Sequence, residues 1–153
     1  MLYREMNDEL REMIEPAMVY TAKCMLENKH WQALIDAVDE ESWRLYEKKC
    51  TMLEGLFGYD KHRNHTNDYR LGIDFALIVL KNDIVHRGLV PATEWKVDDC
   101  FARLNYQAIH CVVDELRHSD TERMIQRGIN DVKSIFLRKY NFEVRRIVNE
   151  TDW

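Results

Sequence analysis

The sequence predicts an all-α protein, an up-and-down bundle of about five helices. Helix breakers are rare, with five Gly and two Pro in 153 residues. Good helix formers such as Leu, Met, Glu, Lys, Arg and Ala dominate long stretches, and apolar residues recur with the 3.6-residue period of an amphipathic helix. A chain of this length that is 46% hydrophobic can bury one ordinary core. We therefore expect residues 1–153 to form a single helical domain.

Two helical regions are predicted in the first 60 residues. The first covers about residues 3–28, and Pro16 is expected to kink or restart it. The second covers Trp31 to Leu56, with an interruption expected at the acidic residues 39–42. A polar loop is predicted for residues 59–66. The apolar stripe of the first region consists of Met6, Leu10, Met13, Ile14, Ala17, Met18, Met25 and Leu26.

Three more helices are predicted in the remainder. The third begins after a cap at Asn67 or Asp68, contains the apolar run of residues 75–80 and ends at His86; it should be the most buried. The fourth covers about residues 93–116. Ser119, with Glu122 three residues later, forms a capping box for a fifth helix to about Val148, and the tail after it is expected to fray.

Charge and cysteine usage exclude several classes of protein. The net charge of -5 argues against a protein that coats nucleic acid. Residues 1–60 hold 7 basic and 13 acidic side chains, whereas residues 61–153 hold 15 and 14, so only the second part could readily face an anion. No apolar run approaches the ~18 residues of a membrane span, and no secretory signal is visible. We expect a cytoplasmic protein without membrane contact, whose free thiols are Cys24, Cys50, Cys100 and Cys111.

The segment KNDIVHRG, residues 81–88, closes the apolar run of the third predicted helix with polar side chains. In a helix, Asn82 and His86 share one face, and Asp83 and Arg87 share the neighbouring one. An imidazole can transfer a proton near neutral pH, and an amide can orient it or hold a phosphate oxygen. A nearby cation can stabilise charge that develops on phosphorus. The segment is therefore the best candidate site.

This segment resembles the signature of the HEPN superfamily, in which an Arg-Asn pair is commonly followed by His four residues after the Asn. Asn82 and His86 match that spacing, Ile84 and Val85 lie between them, and Lys81 stands where the family has Arg. The resemblance extends over about residues 68–118.

The resemblance implies a bundle of four or five helices that forms a symmetric homodimer, with the motif helices of the two subunits facing each other. In members that cut RNA, the ribose 2′-hydroxyl attacks the adjacent phosphate without a metal ion and leaves a cyclic phosphate. It implies no cofactor and no metal, and a catalytic set of His86, Asn82, Lys81, Arg87 and Asp83. An ammonium lacks the bidentate grip of guanidinium on phosphate. Either Arg87 supplies the guanidinium that binds phosphate, or the chain has kept the fold for binding alone.

A second hypothesis belongs to another class, a non-catalytic helical protein that binds or inhibits a protein partner. Its acidic first part would then be the contact surface and could imitate nucleic acid. At the motif itself, the simpler interpretation is a helix end where His86 complements the dipole and Asp83 pairs with Arg87.

Other side chains admit a functional and a structural interpretation. The weak HxxH spacing at His62 and His65 could contribute to a metal site, together with His86 and His110, but solvated loop residues are the simpler interpretation. The last helix carries a basic face that is solvated or contacts RNA or a partner, consisting of Arg138, Lys139, Arg145 and Arg146. Three aromatics at helical spacing are more often core than base-stacking residues: Tyr69, Tyr106 and Tyr140.

Overall fold

A computed structural model describes the backbone of residues 1–26, 28–57, 59–86 and 119–153, and the side chains of residues 1–26, 30–52, 66–82 and 123–153. A short 3₁₀ turn, Tyr3–Glu5, precedes four α-helices in these ranges. The helices are α1 (Asp8–Met25), α2 (Asn28–Phe57), α3 (Tyr59–His86) and α4 (Ser119–Glu150). The predicted all-α class is confirmed. The helix predicted at residues 93–116 lies outside the described residues.

Helix boundaries differ from the sequence prediction in three places. α1 starts later than expected, where the Asn7 side chain accepts the Leu10 N–H at 2.8 Å, and it runs through Pro16. α2 is not interrupted at residues 39–42, and the buried Ser42 hydroxyl donates to the Val38 carbonyl at 2.7 Å, so its polar group is satisfied within the helix. The predicted loop at residues 59–66 is wrong: this stretch contains neither Gly nor Pro and forms the first turns of α3. α4 follows the prediction closely.

The core lies between α3 and α4, with α2 and α1 packed at their sides. Its largest fully buried side chains are Tyr69, Phe136, Ile35, Ile73, Leu80 and Ile129. α3 and α4 approach so closely that their backbones touch. A Cβ on Gly72 would overlap the carbonyl oxygen of Ile125, and one on Gly128 would overlap the carbonyl oxygen of Tyr69. Only glycine permits this approach, so the two glycines fix how α3 and α4 cross.

The predicted fraying of the tail is wrong, because residues 149–153 are bound to the start of the chain. Leu2 and Asp152 form an antiparallel bridge, and the Trp153 N–H donates to the Met1 carbonyl at 2.9 Å. The Trp153 indole N–H also donates to the Val148 carbonyl at 2.9 Å. These bonds join the residues after α4 to the start of the chain, and the Trp153 indole satisfies a carbonyl of the last turn of α4.

α1 lies at the edge of the bundle and packs against α4. Only part of the predicted apolar stripe is buried: Met6, Met18 and Leu26 are buried, whereas Met13, Ala17 and Met25 are exposed. Ala22, which the predicted stripe did not include, is also buried. Among the helices in the described ranges, none has both the length and the apolar character needed to cross a membrane.

Candidate functional site

The candidate site lies at the C-terminal end of α3. Leu77 and Leu80 are buried there and hold one face of the helix against the core. Lys81 is 43% exposed and Asn82 is exposed, so neither side chain belongs to the core. The helix continues to His86, so positions 82 and 86 are one turn apart, ~6 Å along the axis.

Lys81 does not point freely into solvent. Its ammonium forms an ion pair with the carboxylate of Asp39 on α2. This ammonium is therefore partly neutralised and tied to the neighbouring helix. An anion that binds Lys81 has to share this ammonium with Asp39 or replace it.

The same turn of α2 binds α4 on its other side through Glu41. Glu41 forms an ion pair with Arg138, and its Oε2 lies 2.8 Å from the Nζ of Lys139. Hydrogen bonds from Lys139 and then Arg138 hold the pKa of Glu41 below its ordinary value. The acidic residues expected to break α2 instead connect it to both neighbouring helices.

A groove of about 740 Å³ lies between α2 and α4 beside this turn. Its apolar part includes Ala33, Leu34 and Phe142, and the Phe142 ring is 68% exposed. Its rim is charged, but each cation already has a carboxylate partner: Arg138 and Lys139 pair with Glu41, and Arg146 pairs with Glu143 and Glu150. An anionic ligand would have to compete with these carboxylates.

A second polar cluster, which the sequence did not reveal, joins α2, α3 and α4. The buried Tyr69 hydroxyl donates to the Asp131 carboxylate at 2.6 Å, and the Lys49 ammonium pairs with the same oxygen. Lys49 also lies 5.2 Å from the centre of the Tyr69 ring. Burial, and then the bond to Asp131, raise the pKa of Tyr69. The only sequence signals were an Asp and a Lys near apolar helix faces.

This cluster supports the fold around the candidate site and does not extend to it. Tyr69 precedes Lys81 by twelve residues of continuous helix, which is ~18 Å along the axis. The interpretation of Tyr69 and Tyr140 as core residues is confirmed, since both are buried.

The predicted site residues are described to different extents. Lys81 and Asn82 lie together at the end of α3, and Asp39 joins them from α2. Asp83 and His86 belong to the α3 backbone, but their side chains lie outside the described set, and Arg87 lies outside the described residues. The side chains of His62, His65, Tyr106 and His110 also lie outside it, as do two of the cysteines, while Cys24 and Cys50 are free thiols.

The side chains that the structure describes include no evident metal site. Among them, no group of three or more His, Cys, Asp or Glu has the geometry to hold a metal ion. No family model, curated protein or solved structure matches this chain.

Proposed function

We propose that this chain is a HEPN-like RNA-binding protein that works as a homodimer and cleaves RNA without a metal ion at the end of α3. One observation carries the proposal. α3 continues as an unbroken helix through Asn82 to His86, so the two motif positions share a face at an end of the helix where Asn82 is exposed.

The proposed chemistry requires a base, an acid and stabilisation of charge. His86 accepts the proton of the ribose 2′-hydroxyl as its oxygen attacks phosphorus. The bond from phosphorus to the 5′-oxygen breaks, and His86 of the second copy, in its protonated form, donates a proton to that oxygen. Asn82 orients the imidazole or binds a phosphate oxygen, and Lys81 and Arg87 stabilise the growing negative charge. Asp83 pairs with Arg87 and sets its position.

Asp39 gives Lys81 a specific role in this scheme. The Asp39 carboxylate holds the ammonium against α2 and partly neutralises it. Removing the carboxylate charge leaves the full charge of Lys81 for phosphate. Asp39→Asn should therefore tighten RNA binding, whereas Lys81→Ala should weaken it.

The direct experiment is cleavage of labelled single-stranded and structured RNAs in EDTA. The wild-type protein should produce cyclic phosphate ends, and His86→Ala should reduce the rate at least ~100-fold, the usual contribution of a general acid or base. His30→Ala, which changes a histidine of the groove between α2 and α4, is the matched control and should keep activity. Asn141→Ala on α4 is the matched control for Asn82→Ala, because both asparagines are exposed.

Two results would contradict the ribonuclease proposal. One is cleavage that survives His86→Ala, which would assign the chemistry to other residues. The other is cleavage that requires an added divalent ion. Inactivity of the wild type with recovery in Lys81→Arg would instead identify a fold retained for binding RNA.

The Lys81–Asp39 ion pair favours a second candidate function, binding of a protein partner without catalysis. In this pair Lys81, the cation of the motif, connects α3 to α2. Some acidic side chains of residues 1–60 already form ion pairs with cations of the same chain, namely Glu15, Asp39 and Glu41. The remaining acidic surface for a basic partner includes the exposed Glu9 and Glu12 of α1. Loss of partner binding in a Glu9→Gln, Glu12→Gln variant, with no RNA affinity in the wild type, would support this function.

A further inference from the structure

The outward face of α1 carries an apolar stripe, although the helix already buries its opposite face. Met18, Ala22 and Leu26 face the core, whereas Met13 is 71% exposed and Tyr20 is 61% exposed. Ala17 and Cys24 are also exposed. Helices that are apolar on both sides are typically covered on both sides. The described helices cover α1 on its core side only.

The four outward residues have the spacing and the size pattern of a helix-pairing seam. Met13, Ala17, Tyr20 and Cys24 are separated by four, three and four residues, the spacing of the a and d positions of a coiled coil. Large and small side chains alternate along this stripe. In an antiparallel pair centred between residues 18 and 19, Met13 lies opposite Cys24, and Tyr20 lies opposite Ala17. Each large side chain then meets a small one, whereas a parallel pair would set Tyr20 against Tyr20 and Ala17 against Ala17.

An apolar groove beside the stripe provides a receptor for the larger side chain. The groove has a volume of about 430 Å³, and its lining includes Leu10, Ile14, Ala17 and Trp153. Because Tyr20 of an antiparallel copy lies opposite Ala17, its ring lies at the mouth of this groove. An aromatic anchor that enters an apolar groove is the usual centre of a protein interface.

The charges that flank the stripe also favour the antiparallel arrangement. Glu12 and Lys23 lie on the same side of the stripe, near its opposite ends, and Glu12 is exposed. In an antiparallel pair these equivalent sides meet. Lys23 of one copy is then only ~3 Å along the axis from Glu12 of the other. Two such acid–base contacts form symmetrically about the dyad.

We propose that α1 pairs antiparallel with α1 of a second copy of this chain through Met13, Ala17, Tyr20 and Cys24. The pairing uses a surface different from the end of α3 and does not depend on ribonuclease activity. The stripe is ~16 Å long, so the contact is small, and its association should be weak and concentration-dependent.

Sedimentation equilibrium from micromolar to millimolar protein tests the pairing. The wild type should associate reversibly through α1, and Tyr20→Glu should raise the dissociation constant of this step at least ~10-fold, whereas a dimer formed at the end of α3 should persist in Tyr20→Glu. Phe142→Glu, at a similarly exposed aromatic on α4, is the matched control and should dimerise like the wild type. Far-UV circular dichroism and the melting temperature should not change in Tyr20→Glu, because this side chain points away from the core.

Thiol cross-linking tests the direction, in a background where Cys50, Cys100 and Cys111 are replaced by Ser. Under oxidised glutathione, Met13→Cys should form an intermolecular disulfide with Cys24, identified by peptide mapping. Without Met13→Cys, the two Cys24 thiols are ~16 Å apart along the axis and should not join.

Four outcomes would overturn the proposal. A protein that is monomeric at every concentration has no such interface. Tyr20→Glu that leaves every association step unchanged would place the contact elsewhere, and Tyr20→Glu that lowers the melting temperature of a monomer would assign the stripe to contacts within one chain. A Cys24–Cys24 disulfide would overturn the antiparallel direction. Neither assay measures RNA cleavage, so failure of the proposed function would leave this result intact.

Discussion

The contact between α3 and α4 and the contacts of α2 with both helices are built differently. α3 and α4 touch through their backbones at Gly72 and Gly128, within a core of buried apolar side chains. α2 also buries apolar residues, but ion pairs join its solvent-facing edges to the neighbouring helices. Lys81 of α3 pairs with Asp39, and Lys139 of α4 pairs with Glu41.

This difference predicts which contacts between helices should weaken when the salt concentration or the pH changes. A steric contact between backbones is insensitive to salt and pH, whereas exposed ion pairs weaken when charges are screened or protonated. The candidate site combines both kinds of contact, because α3 is fixed against α4 by sterics and its terminal Lys81 is fixed against α2 by charge.

The largest expected effect is the loss of stability when Gly72→Ala or Gly128→Ala breaks the steric contact between α3 and α4. In an exposed helix interior, Gly→Ala is stabilising by about 1 kcal/mol. Here the new Cβ meets backbone atoms that cannot rotate away, so the free energy of unfolding should fall by about 3 kcal/mol. Chemical denaturation measures the change, with Ser134→Ala at an exposed position of α4 as the control. Unchanged stability in both glycine variants would show that α3 and α4 do not touch at this point.

An intermediate effect is expected from the tyrosines of the core at high pH. Burial raises the pKa of Tyr140 to about 12, from an ordinary value of 10.0. Between these values the unfolded chain loses the phenolic proton while the folded protein keeps it, so the free energy of unfolding falls as pH rises. The slope should be about 1.4 kcal/mol per pH unit for each such tyrosine. Denaturation at pH 9 to 12 should show a smaller slope in Tyr140→Phe, with the exposed Tyr20→Phe as control. Equal slopes in wild type and Tyr140→Phe would contradict burial of this hydroxyl.

The smallest effect is expected at the ion pairs of α2. Because Lys81 is 43% exposed, a double-mutant cycle with Asp39→Asn and Lys81→Met should give a coupling below about 1 kcal/mol. The coupling should vanish in ~1 M salt, where the Debye length is ~3 Å. A coupling that persists in high salt would mean that the pair is shielded from solvent.

Glu41 adds a pH test of the same contacts. Its pKa is lowered by Lys139 and Arg138, so its contribution is present above the ordinary value of 4.5 and is lost as pH falls through the lowered pKa. Glu41→Gln should lose this acid dependence, and denaturation at pH 6 and pH 3 measures it. An unchanged acid dependence in Glu41→Gln would show that the carboxylate does not pair with α4.

Sequence periodicity predicted the fold class and the range of α4, because a long apolar stripe with few breakers has few alternatives. It failed at residues 39–42 and 59–66, where polar composition suggested a break or a loop. Residues 59–66 contain neither Gly nor Pro that would end a helix. At residues 39–42, the carboxylates of α2 pair with Lys81 and Lys139 of the neighbouring helices. Those partners are distant in sequence, so no local pattern could indicate them.

The candidate site was predictable only in part. The spacing of Asn82 and His86 and the helical segment that carries them could be read from the sequence. The ion pair of Lys81 with Asp39 could not, because it depends on how α2 and α3 are aligned. The cluster of Tyr69, Asp131 and Lys49 was missed for the same reason, since its members come from three helices.

The two glycines at the crossing of α3 and α4 also provide a sequence signature by which distant relatives with this fold could be recognised. Each gives up helix propensity that an alanine would supply, so drift alone would tend to replace them. A diverged copy that keeps this crossing must keep a glycine at both positions, whereas one that loses either must separate the helices and shift the end of α3 relative to α2. A search of genomes for distant relatives can therefore weight the pair Gly72 and Gly128 above the charged surface residues.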